Sequence, residues 1–522
     1  MMRAALRIEA HRAGAWQTLS PDVQRSTSLS IAYGIRGSGP LDLLAGGGDA
    51  SFGLGNWNPI GQYSPGHANH VSDWGIGTPI RISFLPEIAL VTADGTAIES
   101  ADGTPVWEGP TRKFRGRVTV IDPEAGGYGT RRGLVWVGDH LAWLGDAELR
   151  NVTAQIGASE RDLLQAVFAA VPSDLRPPVR RLDEGVDTYP YAFDDVGVGA
   201  SPLGLLTDVL ESAFAALVQY GNGDVVSLNR NTRTYQASQV ALTEDDLESL
   251  EAPTEKARLY RHVIVEIPQF RVGVSPEVLW AEEGEDSAGI APGEVRDFWA
   301  TYRDPDAQAN QTQGIAGFAT ETYPFTTTAV FNAQADGGGS DVTGDVTVEA
   351  EYFANSVHYR LTNTGAVTAH RTTLSMSALA IRRLKPIEVE SVSAQGRGAT
   401  LRISLRYLVS RTVAQFIADY VRNQWETEGN RPRRVTFDPQ RDERLMRAFL
   451  NREPGDRVTL SEPVSATNGD SIIQGLEITS PTGSEYWHCA WNVAPVSSYA
   501  FISPMMLGTS GRMELGETTV LG

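Results

Sequence analysis

Few residues in this sequence have types and spacing that could do chemistry. His488-Cys489 would suit thiolate chemistry, but neighbours in an alternating strand point to opposite faces. They cannot form a nucleophile–base couple, and Cys489 reads as a buried structural thiol. His67-Ala68-Asn69-His70 brings two histidines into a Gly/Pro-rich loop without the further ligand spacing of a metal motif. Asp194-Asp195 and Asp245-Asp246 pair carboxylates, yet a glycosidase needs its two acids held across a cleft. Nothing in the spacing places either pair so, and solvated acidic surface is the simpler reading. No G-x-S-x-G, H-E-x-x-H, Walker or dinucleotide fingerprint occurs. The expectation is no enzyme: no catalytic, cofactor-binding or metal-ligating residue, and no cofactor.

Two basic clusters could touch phosphate: Arg112-Lys113-Phe114-Arg115-Gly116-Arg117 and Arg431-Pro432-Arg433-Arg434. In the first, strand alternation puts the charges on an outer face, where acidic partners or a neighbouring subunit would meet them. The chain carries 44 Lys+Arg against 64 Asp+Glu, a net charge of −20, which disfavours wrapping DNA. Only Lys113, Lys256 and Lys385 are lysines, a bias that reads as a GC-rich genome. One cysteine excludes a disulfide framework and a cysteine-held cluster. No run approaches the roughly 18 apolar residues of a membrane span, and Met1-Met2-Arg3 does not open a signal peptide. No stable membrane insertion is expected.

The elements that must position these residues are mainly β with α/β parts. With 522 residues, about three to five domains are expected. Residues 1–150 alternate at 28–33, 80–84, 117–121 and 134–137, with turns at Asp94-Gly95, Asp102-Gly103 and Gly126-Gly127; this predicts a small β-barrel. Residues 151–269 read as a small α/β domain, with helices capped by Ser159 and by Ser201 before Pro202. An acidic connector, Glu282-Glu283-Gly284-Glu285-Asp286, lies in a β-sandwich insertion over 270–390. There Trp299, Tyr302, Tyr352 and Phe353 read as sandwich core before exposed aromatics. Residues 391–522 hold two helices, the second starting at Asp438-Pro439, and a second β-barrel. Gly77-Thr78-Pro79-Ile80-Arg81-Ile82 is echoed by Gly455-Asp456-Arg457-Val458-Thr459-Leu460, and Phe114–Val120 by Ile473–Ile478. Each pair is followed by a tryptophan-bearing strand, so the two barrels read as duplicates.

Asn58-Pro59-Ile60-Gly61-Gln62-Tyr63-Ser64-Pro65, Gly77-Thr78-Pro79-Ile80-Arg81-Ile82, Phe114-Arg115-Gly116-Arg117-Val118 and Gly138-Asp139-His140-Leu141 come in an order that resembles the tail-hub (baseplate hub or tail-tip) proteins of long-tailed bacteriophages. Pro59-Ile60 replaces that family's usual polar pair. Ser404-Leu405-Arg406-Tyr407-Leu408, Ala414-Gln415 and Pro454-Gly455-Asp456-Arg457-Val458 extend the resemblance to the C-terminal part, so it covers both ends, about half the chain. It implies a homotrimer whose two barrels per subunit make a pseudo-sixfold ring at the virion tail tip, assembled in the host cytoplasm. Implied partners are a distal tail or tail-tube protein, a central fibre or spike, the tape-measure protein, and DNA only in transit. An acidic channel would repel passing phosphate. The alternatives are a carbohydrate-binding or carbohydrate-active multidomain β protein and, less well supported, a basic-patch DNA binder.

Overall fold

The computed structural model describes residues 4–24, 26–86, 109–124, 131–149, 152–197, 199–282, 288–304, 312–396, 398–480 and 486–496. The Asp94-Gly95, Asp102-Gly103 and Gly126-Gly127 turns and most of the acidic connector lie outside them. The first block holds β1 (Ala4–Arg12), β2 (Ala15–Thr18), β3 (Leu29–Gly34), β4 (Asp49–Gly55), β5 (Pro79–Pro86), β6 (Thr111–Glu124) and β7 (Arg132–Gly138). All four alternating segments fall in strands. Most of their apolar members, among them Ile31, Ile80, Ile82, Val118, Val135 and Val137, are buried, as a half-buried antiparallel sheet requires; Val120, past a bulge in β6, is exposed.

The middle module begins after the short helix α1 (His140–Leu144). It contains β8 (Gln155–Ser159), α2 (Glu160–Ala170), β9 (Arg180–Arg181), β10 (Thr188–Ala192), α3 (Pro202–Ala213), β11 (Ala216–Gln219), β12 (Val225–Leu228), α4 (Arg230–Tyr235), β13 (Ala241–Thr243) and β14 (Ser249–Glu251). Both predicted caps form. Ser159 and Asp162 close a reciprocal capping box, and the Ser201 hydroxyl accepts from Gly204 N–H with Pro202 opening the helix. Leu163, Leu164, Val167 and Phe168 of α2 and Leu206, Val209 and Leu210 of α3 are buried in one core.

Next come β15 (Tyr260–Val272), β16 (Glu277–Ala281), β17 (Val295–Thr301), β18 (Thr312–Phe318), β19 (Thr326–Asn332), β20 (Val346–Tyr352), β21 (Ser356–Asn363), β22 (His370–Val392) and β23 (Ala399–Ser404). The three-stranded sheet β17-β21-β20 shares a core with strands that pair to β22, built on Leu279, Phe331, Tyr359, Leu361, Leu374 and Met376. The 23-residue β22 pairs with β19 at its start and with β15 at its end. One unbroken strand thus carries the sandwich out from the rest of the chain.

Helix α5 (Arg411–Trp425), β24 (Arg434–Phe437), α6 (Glu443–Asn451), β25 (Arg457–Glu462), β26 (Thr467–Ser480) and β27 (His488–Pro495) complete the fold. Val413, Ile417 and Val421 of α5 enter the same core as α2 and α3. Helix α6 begins later than Asp438-Pro439. Asp438 instead accepts from Gln440 N–H in a turn, and Asp442 caps the helix by accepting from Leu445 N–H at 2.8 Å.

The described sheets are several, and none closes into a barrel. In place of two barrels, the terminal blocks fuse into one 13-stranded sheet with the path β14-β24-β27-β26-β3-β4-β7-β6-β5-β1-β2, while β25 joins β26 and β13 joins β25. Closure is lost because β26 is long enough to serve two neighbours. Residues 467–472 pair with β25, and 475–480 pair with β3. A single apolar core lies under both blocks. Phe84 of β5 meets Phe449 of α6 at 5.0 Å and Trp487 at 4.9 Å, edge to face.

The internal echo is present as a repeat of connectivity. The order β3-β4-β7-β6-β5 is matched by β14-β24-β27-β26-β25. Gly77 N–H donates to Val118 O at 2.8 Å and Val118 N–H to Thr78 O; Gly455 N–H donates to Ile473 O at 2.7 Å and Ile473 N–H to Asp456 O. Both glycines have positive φ, +85° and +99°, which side chains rarely adopt. A bulge follows at the same place in each, between Val118 and Val120 and between Ile473 and Gly475. By these bonds Gly116 corresponds to Ser471 rather than to Gly475, so the second sequence match shifts by four residues.

Candidate assembly site

The junction between the repeated blocks is where chemistry and architecture meet. Gly34 and Gly475 lie opposite each other on β3 and β26. A Cβ on Gly34 would stand 2.6 Å from Gln474 O, and one on Gly475 would stand 2.8 Å from Ile35 O; only glycine permits this approach. Beside it, Lys113 is 0% exposed. The register of β5 with β6 slips between Ile82 and Ser83, so Phe114 faces Ile82 while Arg112 faces Ser83. Lys113 is the extra residue of a bulge, and this turns it inward beside Phe114. Simple alternation had placed the cluster's charges outside; the bulge overturns that for Lys113. Its ammonium donates to Arg452 O at 2.8 Å and to Glu453 Oε1 at 3.2 Å. Glu453 Oε2 accepts from Tyr33 O–H and Gly221 N–H, each at 3.1 Å. One carboxylate therefore ties β3, β6, the end of α6 and the turn after β11.

A second surface is the segment from Asn56 to Gly77. It carries no Lys, Arg, Asp or Glu from Asn56 to Ser72, unusual in so acidic a chain. Asn56, not Asn58, anchors it: its Oδ1 accepts from Tyr63 N–H at 3.0 Å and its Nδ2 donates to Ser64 Oγ at 2.6 Å. Buried Tyr63 donates to Asp22, and Trp74 Nε1–H donates to Tyr63 O. His67 Nδ1 accepts from Asn69 N–H at 3.1 Å and His67 O accepts from His70 N–H at 3.0 Å, so His67 holds a turn. The fixed segment presents Trp57, Ile60 and Ile76 to solvent, 50%, 47% and 61% exposed. Rigid aromatic and apolar side chains in a charge-poor patch are the composition of interface centres.

The other sequence candidates have structural partners. Asp194 and Asp195 clamp Arg383, at 2.9 Å from Nε and 3.0 Å from Nη1, and Asp195 also pairs with Arg406. Burial raises the Asp194 pKa against the pull of Arg383. Asp246 pairs with Arg444 and accepts from Thr243 N–H; Asp245 is exposed. In the second basic cluster, Arg431 lies 4.7 Å above the Trp425 ring and donates to Gln424 O and Thr427 O. Arg434 pairs with Glu477 at 2.7 Å and Arg433 with Glu255 at 3.6 Å. Among the described residues, no group of three or more His, Cys, Asp or Glu gathers as a metal site, and no helix is long and apolar enough to cross a membrane. His488 is exposed beside Glu248 at 3.3 Å, whereas Cys489 is fully buried and desolvation pushes its thiol up to about 12. Native protein is accordingly expected to resist thiol reagents at pH 8, with one thiol appearing on denaturation; full labelling without unfolding would contradict this.

No protein-family model and no curated protein matches the chain. Solved structures similar in outline include the 43 kDa tail protein of prophage MuSo2 from Shewanella oneidensis, with TM-score 0.48, 10% identity and coverage of 94% of this chain and 99% of that one. A tail protein from Neisseria meningitidis MC58 has TM-score 0.47, 9% identity and coverage of 94% and 96%. Prophage tail protein gp18 from Listeria monocytogenes EGD-e has TM-score 0.41, 8% identity and coverage of 93% and 94%.

Sequence reasoning did not single out Glu453, Tyr33 or Glu160. Lys113 did stand out as one of only three lysines. A compact ammonium with three donors suits a narrow buried site that could not satisfy the five donors of arginine, and that was the available signal.

Proposed function

We propose that this chain is a structural, non-enzymatic phage-type tail hub. It would form a homotrimeric ring that joins the tail tube to a central fibre or spike and passes tape-measure protein and DNA. The observation that carries this reading is the repeated strand block, joined within the chain through β26 and β3. A chain made of two like blocks presents the same kind of contact twice, once inside the subunit and once between subunits, so three copies make six near-equivalent positions. The corresponding edges are the side of the later half of β6 turned away from β7, beyond the β5 pairing, and the side of β14 turned away from β24, each free of a strand partner among the described residues. Val120 lies on the first, 48% exposed. The motif order shared with tail hubs supports the same assignment. Function here is assembly: the sheet edges and the Trp57 loop bury surface between subunits and against tail partners.

Light scattering and single-particle imaging of the purified chain test this. The expected result is a threefold ring with a mass near three times 56.5 kDa. Val120→Glu is expected to shift the population toward folded monomers, because a charge would be buried at the seam. A monomer at every concentration would overturn the proposal.

A further inference from the structure

Trp299 stands on the outer face of β17, 45% exposed. Its indole is braced against two rings, stacked on His358 (4.7 Å, 26°) and leaning on buried Phe353 (5.0 Å, 39°). Strand register gives the rest of this face. Trp299 is opposite His358 and Asp297 is opposite Arg360; on the other side, Glu351 is opposite His358 and Glu349 is opposite Arg360. Asp297 lies 3.7 Å from His358 Nε2. Arg360 and Glu349 are exposed, and neither has an ion-pair partner among the described residues. Of the four aromatics singled out in the sandwich, Tyr302 and Phe353 are buried at 5% and 4%, and Tyr352 is half-buried and stacked on Phe325. Only Trp299 is displayed.

We propose that the outer face of β17-β21-β20 binds a neutral glycan, with one hexopyranose stacked on Trp299. A pyranose offers a row of C–H groups, slightly positive and apolar, that fits the negative face of an indole. Its rim of hydroxyls needs both acceptors and donors, which Asp297, Glu349 and Arg360 supply as charge-assisted bonds. Directly opposed residues are about 5 Å apart and same-face neighbours along a strand about 7 Å apart. A ring centred on Trp299 therefore brings hydroxyls over Asp297 and Arg360. Asp297, Glu349 and Glu351 outweigh Arg360, so sialylated or uronate-bearing glycans are repelled. The face is the broad side of a sheet, not an edge, so it offers no backbone groups to an extended peptide. The bracing by His358 and Phe353 removes the ordering cost that a loose tryptophan would bring to binding. This site stands apart from ring formation, since a monomer would carry it as well.

The full chain is to be screened on an array of neutral gluco-, galacto-, manno- and N-acetylglucosamine oligosaccharides, with sialylated and uronate glycans alongside. The best neutral oligosaccharide is then titrated by calorimetry. The expected result is binding of neutral glycans only. Trp299→Ala should weaken it by about ten-fold or more while the protein stays folded, and Glu349→Gln/Arg360→Gln, which leaves the aromatic packing intact, should weaken it in part. No neutral binding at about 10 mM ligand, a preference for acidic glycans, or an affinity unchanged in Trp299→Ala would each overturn the proposal.

Discussion

Glu453→Ala is expected to destabilise the protein by about 3–5 kcal/mol, the usual cost of removing one partner from a buried ion pair. The loss comes from what is left behind. The Lys113 ammonium, 0% exposed, would keep only the Arg452 carbonyl. The Tyr33 hydroxyl and the Gly221 N–H would lose their acceptor at the same time. If the ion pair is the cause, removing the cation should recover much of the loss. Lys113→Met/Glu453→Gln is therefore expected to be more stable than Glu453→Ala, because an apolar stem in a well-packed site carries no charge to desolvate. Lys113→Arg should be destabilising despite its conserved charge, since the larger guanidinium brings donors with no acceptors. Urea unfolding of the four proteins measures these differences. Equal stabilities of the single and double variants would show that the pair does not tie the junction.

The second large effect is on pH dependence. Glu160 begins α2 yet is 1% exposed. Desolvation, reinforced by the Asp183 and Asp187 charges and opposed by Arg230, raises its pKa from 4.5 to about 8. The neighbouring Tyr189 is fully buried and its pKa is likewise raised by desolvation and by Glu160. The folded protein thus holds a proton on Glu160 that the unfolded chain releases above about pH 4.5. Below that pH both states are protonated and there is no penalty. From pH 4.5 to 8 stability falls by about 1.4 kcal/mol per unit as the unfolded state ionises, and above pH 8 the loss is constant, about 5 kcal/mol in all. Glu160→Gln keeps the shape and removes the titration. Its stability relative to wild type is expected to rise by about 5 kcal/mol between about pH 4 and pH 9. Asp139, the buried cap of α1, is raised to about 7 by desolvation. It adds a slope of the same sign in both proteins and cancels in the difference. Parallel pH profiles of the two proteins would mean that Glu160 is solvated.

The sequence by itself determined the local elements, because period-two and period-3.6 patterns and caps are read from neighbouring residues. The strands around Ile31, Ile82, Val118 and Val135, the Ser159 and Ser201 caps, and the Gly77 and Gly455 turns needed no tertiary information. The sequence also placed Cys489 inside and hinted at the repeat. It could not decide closure. Whether β26 folds back into a barrel or pairs with β3 depends on contacts over 400 residues apart, and the alternating pattern is the same either way. Nor could it orient Lys113, since a bulge moves a side chain to the opposite face without leaving a composition signal. The same holds for the candidate sites. Trp299 and Phe353 look equally aromatic in the sequence; only the folded chain lays Phe353 buried against Trp299 and leaves Trp299 itself on display. The acidic pairs looked free until folding brought Arg383, Arg406 and Arg444 to them from distant parts of the chain.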